Sequence, residues 1–151
     1  MFITREEALN LPDRRYRGYA SYDIKPTKEQ LAWLLCSLDI LKNGQWPANM
    51  KDDLPSARGG SHKAYWETPI LMWIELEERL RRVGADGIAC RDYYGGKKNI
   101  YELSMFLHCD TERVERIINR ALGYMAGFKR KRQTYAEWLA HPWYERRKKL
   151  Q

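Results

Sequence analysis

The chain is 151 residues long, with 44% hydrophobic and 31% charged residues, which suffices for one packed domain or two very small ones. Three widely spaced cysteines, no signal-peptide pattern and no uncharged apolar window of about 18 residues exclude a secreted disulfide scaffold and a membrane protein, and favour the cytoplasm. The formal net charge of +7 favours a polyanionic partner such as nucleic acid.

Two helices are predicted near the N-terminus. A short one spans residues 4–9 within an otherwise irregular arm. A longer amphipathic helix begins at Thr27, which can form a capping box with Gln30, and it ends before Asn43-Gly44. Trp33 lies on this second helix, and we expect it to pack in the core.

No regular structure is predicted for residues 44–66, which show no sustained hydrophobic periodicity. A stretch of this length is expected to be a functional loop or a connector, held at its ends by Trp46 and Trp66. The adjacent acids Asp52-Asp53 would suit a metal-dependent nuclease, but no third carboxylate follows in a recognisable pattern. We interpret this pair as solvated loop residues.

The rest of the chain is predicted to be helical. The predicted helices span residues 68–83, 86–94, 100–107 and 111–125, and a last one begins at residue 134 with a capping box. The predicted fold class is therefore all-α, a helical bundle containing a C-terminal helix-turn-helix. We divide it into an N-terminal helical and arm region (1–66), a helical core (67–127) and a basic, aromatic helical tail (128–151).

Residues 100–125 have the pattern of a helix-turn-helix, in which two short helices share a small core and a tight turn. The first helix carries a small residue, Ser104, where a close crossing is needed, and the turn is His108-Cys109-Asp110. Asp110 or Thr111 can cap the second helix. The apolar residues expected to face the shared core are Ile100, Leu103, Leu107, Val114, Ile117, Ile118, Ala121 and Leu122.

The positive charge is concentrated in this last third, because residues 1–66 carry +2, residues 67–99 carry zero and residues 100–151 carry +5. Arginines at positions 113, 116 and 120 share one face of the second helix, and arginine forks can pair with guanine edges or phosphates. The alternative is an ordinary amphipathic helix with a solvated basic face. The predicted base-reading residues are Arg113, Arg116, Asn119, Thr111 and Glu112, and the predicted phosphate contacts are Lys97, Lys98, Arg120, Lys129, Arg130, Lys131 and Arg132.

The segment from residue 85 to 127 resembles region 4 of sigma-70-type factors. The resemblance is carried by the run YYGGKKNIYELS at residues 93–104 and, in the second helix, by Val114-Glu115-Arg116 and Asn119-Arg120-Ala121-Leu122, which look like the ending of that family's recognition helix. It implies a DNA-binding helix-turn-helix of the kind found in small phage and prophage transcriptional regulators. Ser104 stands where that family has alanine, and His108 where it has glycine, so a different turn geometry is expected at residue 108.

These patterns predict a non-enzymatic, sequence-specific binder of double-stranded DNA that regulates transcription in the nucleoid of a bacterial or phage-infected cell. RNA polymerase and a second copy of the chain are the protein partners it could have. Two alternatives stay open: the small, DNA-recognising subunit of a phage packaging terminase, and a protein-interaction module. No catalytic residues, metal ligands or cofactor are expected, since no nucleophile–base pair, Cys-x-x-Cys motif or phosphate-binding Gly-rich motif occurs.

Overall fold

The computed structural model describes residues 2–10, 27–45, 67–126 and 133–140. Helices make up 78% of these residues and no strand occurs among them, which confirms that the described part is all-α. The helices are α1 (Arg5–Leu9), α2 (Lys28–Cys36), α3 (Leu38–Lys42), α4 (Glu67–Val83), α5 (Ala85–Tyr94), α6 (Ile100–Leu107), α7 (Thr111–Met125) and α8 (Tyr135–Ala140). None of them is long and apolar enough to cross a membrane.

Helices α1 and α2 begin with capping boxes, in which two side chains satisfy free backbone groups of the first turn. The Thr4 hydroxyl accepts from the Glu7 N–H, and the Glu7 carboxylate accepts from the Thr4 N–H, both at 3.2 Å. The predicted box of Thr27 and Gln30 is confirmed, with distances of 3.2 and 2.8 Å. Local sequence therefore determines where both helices begin.

The single helix predicted from Thr27 to the end of α3 is wrong, because the chain breaks at Ser37. This residue has φ −117° and ψ 19°, ends α2 and begins α3. Serine is a weak helix former in interior positions, and the Ser37 N–H bonds to the Leu34 carbonyl at 3.0 Å, as in a tighter 3₁₀ turn. The break separates α2, which packs against α1, α5 and α7, from α3, which packs against α4.

Helices α4 and α5 follow each other through Gly84, which has a φ of +80° that L-residues rarely adopt. The two helices then approach closely at Gly87, where an added Cβ would lie 2.4 Å from the carbonyl oxygen of Leu80. Glycine is required at residue 87 because only the missing side chain permits this backbone approach.

Helix α7 lies at the centre of the bundle, since α2, α4, α5 and α6 all pack against it. Its inward side chains Val114, Ile118, Ala121 and Leu122 are fully buried, as predicted, whereas Ile117 is only partly buried. Trp33 is 2% exposed, which confirms its predicted place in the core. The large side chains that complete the core are Leu31, Leu34, Leu35, Leu41, Leu76, Tyr94 and Leu103.

The N-terminal residues are hydrogen-bonded to the C-terminal end of α5. The buried Tyr94 hydroxyl donates to the Ile3 carbonyl at 2.8 Å, and the Arg5 N–H donates to the Tyr93 hydroxyl at 2.9 Å. The Arg5 Nε also donates to the Tyr94 carbonyl at 3.1 Å. A Cβ added to Gly96 would lie 2.9 Å from the Arg5 guanidinium, so Arg5 packs directly on the loop that leads into α6.

Helix α8 packs on the C-terminal end of α7 through three aromatic rings. Tyr124, Tyr135 and Trp138 have ring centroids 5.3 to 6.1 Å apart. The Tyr135 hydroxyl donates to Asp86 Oδ2 at 2.6 Å, which ties α8 to α5 as well. The predicted capping box of Thr134 is confirmed by hydrogen bonds of 3.1 and 3.2 Å with its partner three residues on.

Candidate nucleic-acid interface

Helices α6 and α7, hereafter the α6–α7 pair, are joined by a three-residue turn, and each helix begins with a side-chain cap. Asn99 Oδ1 accepts from the Glu102 N–H at 2.7 Å, and Asp110 Oδ1 accepts from the Arg113 N–H at 2.9 Å. Of the two caps considered from the sequence, Asp110 is the one used. The start of α7 is therefore fixed by a short, local interaction rather than by distant packing.

The turn contains the only non-glycine residue with positive φ in the described ranges. His108 has φ 53° and ψ 44°, in the left-handed region, and its side chain is exposed. The different turn geometry expected without glycine is therefore absent, and histidine adopts the conformation that glycine would favour. The Cys109 N–H reaches back to the Ser104 carbonyl at 3.1 Å and closes the turn.

The positive φ of His108 is a strained conformation for a residue with a side chain. The stability of variants at this position should therefore follow how well each residue tolerates positive φ. Glycine relieves about 1–2 kcal/mol of steric cost and loses about 0.4–1 kcal/mol through the more flexible unfolded chain. We expect His108→Gly to raise the free energy of unfolding by about 0.5–1 kcal/mol, and His108→Val to lower it by about 1 kcal/mol, since β-branched residues are poor at positive φ. Urea denaturation of the two variants beside the wild type measures both; equal stability of the glycine and valine variants would contradict the strain.

The arginine row (Arg113, Arg116 and Arg120) lies exposed on the outer side of α7. Within the described residues, none of the three guanidinium groups forms an ion pair with a carboxylate. Other arginines in the bundle differ, since Arg79 and Arg81 are paired with glutamates at 2.9 and 2.7 Å. The arginine row is thus the part of α7 with charge available for an external anion.

The first two turns of α7 are open on the outer side, whereas residues 119 and 123 are contacted by other helices. Lys28 Nζ on α2 donates to Asn119 Oδ1 at 3.2 Å, so this asparagine is partly buried beside α2. A Cβ added to Gly123 would lie 3.2 Å from Cε of Lys28 and 3.4 Å from Cη2 of Trp138. A partner approaching the outer side of α7 therefore meets its first two turns and Arg120.

The other predicted contact residues fall into three groups. Thr111 and Glu112 are exposed at the start of α7, and Lys97 is exposed before α6. Lys98 is engaged within the chain, because its Nζ lies 3.6 Å from Asp92 Oδ2 and 3.9 Å from the centre of the Phe106 ring. The predicted phosphate contacts Lys129, Arg130, Lys131 and Arg132 lie outside the described residues, as do Trp46, Asp52-Asp53 and Trp66.

Two features of this region were missed by sequence reasoning. One is Arg5, which supports the Gly95-Gly96 loop from 90 residues away in the chain, and the other is the pairing of Tyr135 with Asp86. The predicted helix at residues 4–9 is present as α1, with a capping box of Thr4 and Glu7, but nothing in its sequence indicates that Arg5 contacts this loop. Nothing local to Tyr135 indicates which carboxylate it binds.

The thiols of α2 and α5 are held protonated by their surroundings. Burial raises the pKa of Cys36 to about 11, although the nearby Arg5 charge opposes the shift. Burial, followed by the charge of Asp86, raises the pKa of Cys90 far above that of a free thiol. Since the thiolate is the nucleophilic form, neither cysteine is activated at neutral pH.

Comparisons of the chain with protein-family models, with curated proteins and with solved structures give no match.

Proposed function

We propose that the α6–α7 pair is a helix-turn-helix that binds double-stranded DNA sequence-specifically, in a transcriptional regulator of the phage or prophage type. The observation that carries the proposal is the arginine row, which is exposed and without carboxylate partners among the described residues. It lies on a helix whose opposite side is fully buried and whose start is capped by Asp110. A helix that is packed on one side and presents guanidinium groups without carboxylate partners on the other suits the recognition helix of this motif.

The open end of α7 supports a specific docking direction. A helix of 15 residues is about 22 Å long, and the major groove is about 12 Å wide, so one end can enter it. We assign base contacts to Arg113 and Arg116, with Thr111 and Glu112 beside them, since recognition helices contact base edges with their N-terminal residues. Asn119 is left out of the base contacts, because its oxygen already accepts a hydrogen bond from Lys28.

Phosphate contacts are assigned to exposed cations at the two ends of the α6–α7 pair. Lys97 precedes α6 and Arg120 lies one turn beyond Arg116, and both are exposed. Lys98 is a weaker candidate, since binding a phosphate would require it to leave Asp92 and the Phe106 ring. The run at residues 129–132 adds four cations directly after α7 in the sequence. In such a regulator, RNA polymerase is the second partner to test.

Salt dependence of duplex binding tests the electrostatic half of the proposal. If about six phosphates are contacted, the logarithm of the association constant falls with the logarithm of salt concentration with a slope of about −5. Fluorescence anisotropy with a labelled duplex, titrated at several salt concentrations, measures the slope. Absence of duplex binding at low salt would overturn the proposal and favour a protein-interaction module.

Selection from a random duplex pool tests the sequence-specific half. A base-reading helix should enrich a short common motif, because each well-formed arginine–guanine pair is worth about 1–3 kcal/mol of discrimination. Recovery of unrelated sequences with undiminished affinity would restrict the function to non-specific binding. The two measurements together separate charge attraction from recognition.

A further inference from the structure

The loop of residues 95–99, hereafter the 95–99 loop, joins α5 to α6 and carries the exposed cation Lys97. Gly96, which has a φ of +76°, comes immediately before it. The loop is attached to α5, because the Gly96 N–H donates to the Tyr93 carbonyl at 3.2 Å and the Lys97 N–H donates to the Asp92 carbonyl at 2.9 Å. The direction of Lys97 therefore depends on how firmly this loop is held against the end of α5.

A second attachment of the 95–99 loop comes from Arg5. The Arg5 Nε donates to the Tyr94 carbonyl at 3.1 Å, and a cation is favourable there because the last carbonyl groups of a helix carry partial negative charge. A Cβ at residue 96 would lie 2.9 Å from Nη2 and 3.0 Å from Cζ of Arg5, so the guanidinium fills the space that a side chain there would need. Arg5 thus contacts both the last residue of α5 and the residue that precedes Lys97.

Arg5 is itself held in place by α5. Its N–H donates to the Tyr93 hydroxyl at 2.9 Å, and the buried Tyr94 hydroxyl donates to the carbonyl of Ile3, two residues earlier, at 2.8 Å. No carboxylate in the described ranges lies within ion-pair distance of Arg5. The Arg5 guanidinium therefore acts on the backbone of the loop rather than on an acidic side chain.

We infer that Arg5 is a positioning residue for the phosphate contact assigned to Lys97. The inference rests on the proposed function, since Arg5 would act on DNA binding through Lys97. By holding the loop at Gly96, Arg5 restricts the orientations of Lys97 before DNA binds, so less conformational entropy is lost when the phosphate contact forms. The N-terminal segment is then part of the DNA-binding unit, although it is distant from the α6–α7 pair in the sequence.

The variant Arg5→Lys separates this role from simple charge. Lysine keeps the positive charge but lacks the planar fork that bonds the Tyr94 carbonyl and packs on Gly96. It should weaken binding to all duplexes roughly two- to fivefold, as for coupled neighbours, and make the salt slope less steep, towards that of Lys97→Ala. Fluorescence anisotropy at several salt concentrations measures both. Wild-type affinity and slope in Arg5→Lys would overturn the inference, because the charge alone would then suffice.

A double variant tests whether Arg5 acts through Lys97. In the Lys97→Ala chain no side chain is left to position, so adding Arg5→Lys should cause no further loss of affinity. Two losses that add would overturn the inference. The matched control is Leu9→Ala, which changes the far end of α1, where the side chain is 40% exposed, and should leave affinity and slope unchanged. Equal weakening by this control would assign the effect to a general loosening of α1 and would also overturn the inference.

Amide hydrogen exchange without DNA tests the structural step. Arg5→Lys should speed exchange of the Lys97 and Lys98 N–H groups, which are bonded to α5, by roughly threefold or more. The Arg113 N–H, capped by Asp110, should exchange as in the wild type. Unchanged exchange at Lys97 and Lys98 would overturn the inference. If the wild type binds no duplex, both the proposed function and this inference are overturned, whereas wild-type binding with an unaffected Arg5→Lys chain overturns this inference alone.

Discussion

Arg116→Ala should weaken binding to the selected DNA site by about 1–3 kcal/mol, a loss of roughly 5- to 150-fold in affinity, and should relax the preference for that site. The reason is that an exposed guanidinium without a carboxylate partner can donate two hydrogen bonds to one base. The side chain has little role in folding, since it is exposed and its one hydrogen bond among the described residues is a 3.5 Å interaction of Nε with the Glu112 carbonyl. Competition anisotropy on selected and scrambled duplexes measures the loss.

Two control variants separate base reading from charge. Lys97→Ala removes an exposed cation assigned to phosphate, so it should weaken all duplexes about equally and reduce the steepness of the salt slope by about one. Arg81→Ala removes the same charge from α4, where the side chain is 74% exposed and paired with Glu78, and it should leave affinity nearly unchanged. If Arg116→Ala and Lys97→Ala reduce all duplexes alike, α7 does not read bases.

The helix ends that sequence predicts correctly are those set by local chemistry. Thr27 and Thr134 cap their helices with partners three residues on, and Gly84 and Gly95 stop helices at the predicted places. Such signals depend on a few neighbouring residues, so they survive folding. The break at Ser37 was not predicted, because a single serine within an apolar stretch does not by itself indicate the end of a helix. The break depends on α3 packing against α4, which the local sequence does not show.

Sequence spacing predicts which side chains of the candidate interface are exposed. It does not predict which of them contact other parts of the chain. Spacing alone places Arg113, Arg116 and Arg120 on one exposed side, as the structure shows. The same spacing places Asn119 beside them, yet Lys28, 91 residues away, binds its oxygen. Lys98 is likewise engaged by Asp92 and a ring on α6. A helical pattern fixes the direction of a side chain but does not reveal which other helix will meet it.

Gly87→Ala should lower the free energy of unfolding by about 2 kcal/mol or more, against the normal effect of this substitution. In an open helix, alanine in place of glycine gains about 1 kcal/mol of helix propensity. Here the new methyl would lie 2.4 Å from the Leu80 carbonyl oxygen and 3.2 Å from the carbonyl carbon, so α4 and α5 must separate. Overpacking of this kind costs about 1–3 kcal/mol, and more when the obstructing atoms are backbone that cannot rotate away. Urea denaturation monitored by circular dichroism measures the difference.

The sign of the Gly87→Ala effect decides whether α4 and α5 are in backbone contact. Gly87→Ser adds the same Cβ plus an oxygen, so it should be at least as destabilising as alanine. Ile88→Ala changes the next residue, which is 58% exposed, and should stay within about 0.5 kcal/mol of the wild type. A gain in stability from Gly87→Ala would mean that the helices lie further apart than the structure shows. Because α5 and α4 both pack against α7, a forced separation should also reduce duplex affinity, through the loss of a rigid support for the arginine row.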